Sequence, residues 1–146
     1  MALRLRLTAV AALIVVLAAC APPWAKHDYG ASDFLSAIRR SGADVAVVGS
    51  VESSQLSVRG QAAQIDDARV EIYQYATIAA ARADAKLISS DGLSASRPGG
   101  TVTLQTSDPV HWYMRGLVIV FYAGKDTATT YLLDQVLGEQ FAGAKA

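Results

Sequence analysis

GLVIVFYAG, residues 116–124, is the stretch on which the reading of this fold turns. Every position from Leu117 to Tyr122 is apolar or aromatic, so whichever way a strand alternates here, both of its faces need cover. The run therefore predicts a central strand with Ile119, Val120 and Phe121 all buried. Just upstream, His111 to Met114 predicts a second strand, in which His111, Tyr113 and Arg115 share one face while Trp112 and Met114 point to the other. Downstream, Asp126 or Thr127 supplies a cap for a last helix with an apolar stripe at Leu132, Leu133, Val136 and Leu137, closed near Gly138, with Phe141 as a final anchor.

Working outward toward the N-terminus, Thr77 caps a middle helix running to about Ser89, with Ile78, Ala81, Ala85 and Ile88 at helical spacing. Before it, Val45 to Val51, the alternation of Leu56 and Val58 with polar neighbours, and ARVEIYQYA from Ala68 predict three strands. A shorter fourth is open at Gln61 to Ile65. Ser32, followed by Phe34, Leu35 and Ile38 and stopped at Ser41-Gly42, predicts a first helix. SSDGLSASRPGG, residues 89–100, has the composition of a loop, and Thr101 to Gln105 alternates as a strand. The expected architecture is α+β: an antiparallel sheet of five to six strands with three helices packed over one face, in the order helix, strands, helix, strands, helix.

The chain opens differently. Arg4 and Arg6 precede an uncharged run from Thr8 to Ala21 that ends at Pro22-Pro23, the pattern of an export signal. A spanning helix needs about 20 apolar residues, and this run is shorter. The only cysteine, Cys20, stands at its end. Leu17-Ala18-Ala19-Cys20 resembles the lipobox of bacterial lipoprotein precursors. That resemblance implies cleavage before Cys20 and a diacylglyceryl thioether on its sulfur. The division expected is a signal peptide over residues 1–19, a lipidated tether over 20–31 and one domain over 32–146. From Phe34 onward FLSAIRRSGADV, EIYQYA, PVHWYMRG, GLVIVFYAG and LGEQFAG together resemble small bacterial envelope lipoproteins of unassigned activity. The resemblance implies a lipid-anchored protein on the extracytoplasmic side of a cell membrane or outer membrane. It transfers no catalytic residue.

The 13 basic and 13 acidic residues balance, and removal of the signal takes two of the former and none of the latter. With no basic patch, nucleic acid is not an expected partner. Ser107, Asp108 and His111 invite a triad reading, yet the first two are adjacent on an Asp-Pro turn and poorly placed for it. His27, His111 and Asp66-Asp67 lack zinc or calcium spacing, and no glycine-rich phosphate loop occurs, so neither metal nor cofactor is expected. The candidate binding face is His111, Tyr113 and Arg115, for a small ligand or an envelope protein. Two alternatives stay open: a hydrolase or other enzyme using His111, and a structural subunit of an envelope complex.

Overall fold

The computed structural model describes residues 28–144; Cys20, Trp24 and His27 lie outside the described residues. Along the chain run α1 (Ala31–Arg40), β1 (Val45–Val51), β2 (Gly60–Ile65), β3 (Ala68–Gln74), α2 (Ile78–Ala85), β4 (Ser94–Arg97), β5 (Gly100–Thr103), β6 (Val110–Arg115), β7 (Val118–Ala123), α3 (Thr127–Leu137) and β8 (Ala142–Gly143). Six strands make one antiparallel sheet in the order β1-β2-β3-β7-β6-β8, and β4 and β5 form a separate hairpin. The α+β class and the alternation of single helices with groups of strands are those expected.

Strand β7 lies between β3 and β6, with Ile119 and Val120 fully buried and Phe121 9% exposed. Its side chains divide the interior into two layers. Val118, Val120 and Tyr122 join Phe34 and Ile38 of α1, Leu133, Val136 and Leu137 of α3, and Val70 and Ile72 of β3. Ile119 and Phe121 join Tyr73, Tyr75, Trp112, Ala95 and the α2 residues Ala81 and Ala85. Helices therefore cover both faces rather than the single face expected. A strand apolar on both sides demands this. The small residues of α2 allow that helix to lie close to the second layer.

Several local elements differ from the sequence reading. Helix α1 is capped by Gly30, not Ser32: the Gly30 N–H donates to Asp33 Oδ2 at 2.8 Å, so the helix starts earlier. Tyr29 and Gly30, from the stretch expected to be tether, are built into the fold; the Leu117 N–H donates to the Tyr29 carbonyl at 2.8 Å. Gly116, at φ +58°, makes this approach possible, since a Cβ there would stand 2.6 Å from that carbonyl oxygen. Residues 55–59 bend instead of forming a strand, whereas Gly60–Ile65 is a full strand paired on both sides. Its GQAAQI sequence has weak strand preference, and the register is set by the tight turn at Asp66, which adopts φ +48° and accepts the Asp44 N–H on its carboxylate. Helix α2 stops at Ala85, and much of the expected 89–100 loop belongs to the hairpin, turned at Pro98-Gly99 with Gly99 at φ +100°.

The sheet is less protected at its β1 edge. Val47 and Val48 are 46% and 55% exposed, and a bulge between Val47 and Gly49 interrupts the pairing with β2. Bulges of this kind twist an edge away from regular pairing with another chain. Replacing Ile119 with Ala should cost about 2–5 kcal/mol of unfolding free energy in urea titrations, as deletion of a buried branched side chain does. Val48→Ser on the exposed edge should stay within about 0.5 kcal/mol of the parent. Comparable losses for the two would contradict a core centred on β7.

Candidate functional site

The alternation of β6 places His111 and Tyr113 on the sheet face that α3 covers, opposite Trp112, whose indole packs on Phe121 and donates to the Gly92 carbonyl at 2.9 Å. His111 and Tyr113 are 5% and 1% exposed, so this is a covered face, not an open one. They reach solvent through a cleft of about 460 Å³ between β6, α3 and β8. Thr130 and Asp134, four residues apart and hence on one side of α3, form its second wall. Beyond α3 the chain turns at Gly138, φ +90°, and returns as β8 along β6, bringing Gln140 and Phe141 over His111. Gly143 is required for that return: a Cβ on it would stand 2.0 Å from the Val110 carbonyl oxygen.

Hydrogen bonds fix the polar groups of the cleft. Gln140 Nε2 donates to the Ala144 carbonyl at 2.5 Å, which turns its Oε1 toward His111, and the imidazole Nδ1–H donates to that oxygen at 2.8 Å. The proton on Nδ1 leaves Nε2 as an acceptor, without a hydrogen-bond partner among the described residues. The ring stacks on Tyr122 at 5.7 Å. The Tyr113 phenol lines the cleft with Asp134; burial, then the nearby Asp134 charge, push it above the usual tyrosine range, so it keeps its proton beside the carboxylate. Thr130 Oγ1 donates back to the Thr127 carbonyl at 3.1 Å.

The third residue of the expected face, Arg115, does different work. Its guanidinium donates to the Val136 carbonyl in the last turn of α3 at 2.5 Å and lies 4.3 Å over the Tyr29 ring. It thereby ties the chain before α1 to the end of α3. Ser107 and Asp108 are exposed and make no hydrogen bond to His111, whose partner is Gln140. No group of three or more His, Cys, Asp or Glu side chains among the described residues is placed to hold a metal ion. Thr130, Asp134, Glu139 and Gln140 were invisible as companions of His111, because the return of the chain along β6 brings them there. The available signal was weak: polar Thr130 and Asp134 at helical spacing beside the apolar stripe of α3.

A second polar cluster centres on a buried carboxylate. Asp84, within α2, accepts the Ser57 N–H and Oγ–H at 2.6 Å each and the Tyr75 hydroxyl at 2.8 Å on Oδ2, while Arg97 donates to Oδ1 at 2.8 Å. It clasps the bend at Ser57, Tyr75 just after β3, α2 and β4. Burial acts to raise its pKa, but the hydrogen bonds from Ser57, Arg97 and Tyr75 outweigh it and hold the carboxyl below the usual aspartate value. Tyr75 is pushed upward by burial and by its bond to Asp84. With both oxygens engaged, this carboxylate is a structural fastening and not an open site.

Compared with known proteins, the chain matches no family model, no curated sequence and no solved structure.

Asp84→Asn should lower stability at neutral pH by about 2–3 kcal/mol, since Arg97, its side chain only 16% exposed, is left without its counter-charge. Because the folded carboxyl is more acidic than the unfolded one, its contribution is fully present above about pH 3.8 and is lost as pH falls through the folded value. Denaturant midpoints of parent and variant should therefore converge below that pH. A constant gap across the acid range would refute the clasp.

Proposed function

We propose that this protein is a lipid-anchored extracytoplasmic envelope protein whose domain binds a small ligand or a protein group in the His111 cleft, without catalysis. The cleft carries the binding part of this reading. It lies within the common range of about 300–1,000 Å³ for ligand sites, and three elements contribute polar groups to its walls. His111 is held by Gln140 and Tyr122 and, among the described residues, has no serine, cysteine or carboxylate hydrogen-bond partner, the arrangement of an oriented contact group more than of a general base.

The anchoring part rests on Leu17-Ala18-Ala19-Cys20 at the end of an uncharged run. Two or more acyl chains on one cysteine make a stable anchor, each buried methylene contributing about 0.8 kcal/mol. Residues 21–27 then connect the lipid to a domain whose first described contacts are those of Tyr29 and Gly30. Neither nucleic acid nor a metal enters this reading.

Cys20→Ala should abolish incorporation of labelled palmitate in cells and release the protein from the membrane fraction or leave its precursor uncut. Normal labelling of that variant would end the lipoprotein assignment. His111→Ala should leave the circular dichroism spectrum unchanged and cost on the order of 1 kcal/mol in stability, the value of one lost hydrogen bond. Turnover in a broad hydrolase screen that vanished with His111→Ala in the folded protein would replace the binding reading with the enzyme.

A further inference from the structure

We infer that the His111 cleft selects a ligand carrying a primary ammonium group on a short apolar stem, an inference that rests on the binding reading above. The basis is the hydrogen-bonding character left over once the internal bonds are made. Among the lining residues, Thr130 directs its hydroxyl proton to the Thr127 carbonyl and His111 its Nδ1 proton to Gln140, while the Tyr113 phenol keeps its proton beside the Asp134 carboxylate. What these groups still offer is acceptor capacity: the free oxygen lone pairs of Thr130 and Tyr113, and, in the neutral ring, His111 Nε2, which has no partner among the described residues and belongs to a residue 95% buried. Asp134 and Glu139 add two carboxylates, and among the described residues no lysine or arginine lines the cleft.

A ligand that satisfies such a surface must bring donors and positive charge. An ammonium group offers three N–H donors and no acceptor, matching Asp134, His111 Nε2 and Thr130 without competing with them. A carboxylate or phosphate would meet two like charges and too few donors, with the Ser90 hydroxyl and the second amide hydrogen of Gln140 the chief ones remaining. Phe141, partly buried at the same cleft, provides apolar surface for a short stem. Arg115, the nearest cation on β6, is committed to the Val136 carbonyl and the Tyr29 ring and is not part of the lining.

The test uses the full chain in detergent micelles, titrated with 1,4-diaminobutane, n-butylamine, n-butanol and butyrate and followed by amide and imidazole chemical shifts and by calorimetry. Saturable shifts clustered at His111, Tyr113, Asp134 and Gln140 are expected with the two amines and not with butanol or butyrate. Asp134→Asn and Glu139→Gln should each retain the parent spectrum elsewhere; the first should weaken amine binding about tenfold or more, as loss of one partner of a charge-assisted pair does. If butanol or butyrate saturates the cleft and the amines do not, the ammonium assignment is overturned while the binding cleft stands. If none of the four shifts these residues, the cleft fails as a binding site and the inference falls with it. Equal amine affinity in parent and Asp134→Asn would also overturn it, by showing attraction to the surface at large.

Discussion

Strand β7 carries apolar side chains on both faces, and a strand of that kind is stable only when something covers each side. Much of the architecture answers this requirement. Strands β3 and β6 flank it and satisfy its backbone, α1 and α3 seal Val118, Val120 and Tyr122, and α2 with the β4–β5 hairpin seals Ile119 and Phe121. The two hydrophobic layers thus meet at β7 and its neighbours β3 and β6. Damage at β7 propagates to both, whereas damage at the β1 edge touches neither strongly.

The alternation that serves the core also positions the cleft. On β6, Trp112 goes to the layer beneath Gly92 and Phe121, which obliges His111 and Tyr113 to face α3. Were β6 to slip by one residue, the indole would lie under α3 and the histidine among the apolar residues around α2. The packing of Trp112 therefore determines the placement of His111. Gly143 completes the arrangement, because only a residue without Cβ lets the chain after α3 lie against Val110 and carry Gln140 to the imidazole.

Two carboxylates illustrate how the surroundings of one chemical group decide its role. Asp84 is enclosed and accepts four hydrogen bonds, so its charge is spent on joining separate parts of the chain. Asp134 is exposed at the cleft beside Tyr113, leaving capacity for a ligand. The first is consistent with rigidity and the second with recognition. Arg115 belongs with Asp84 in this respect: it shares a strand face with His111 and Tyr113, but its guanidinium is occupied in holding α3 to Tyr29.

Sequence alone was enough for the features that depend on local pattern: the α+β class, the three helices with Thr77 and Asp126 as caps, burial across Ile119 to Phe121, and the shared face of His111 and Tyr113. Periodicity and capping act over a few residues, so they are visible without knowledge of neighbours. The strand at Gly60–Ile65, the hairpin within residues 94–103 and the cover on both faces of the sheet were decided by tertiary pairing. Weak local preference at GQAAQI was overridden by strands on either side of it. The polar lining of the cleft was likewise beyond local reading, since Asp134 and Gln140 meet residues more than 20 positions away in sequence. Such contacts exist only once α3 has packed and β8 has folded back, because a hydrogen bond depends on distance in space and sequence pattern reports distance along the chain.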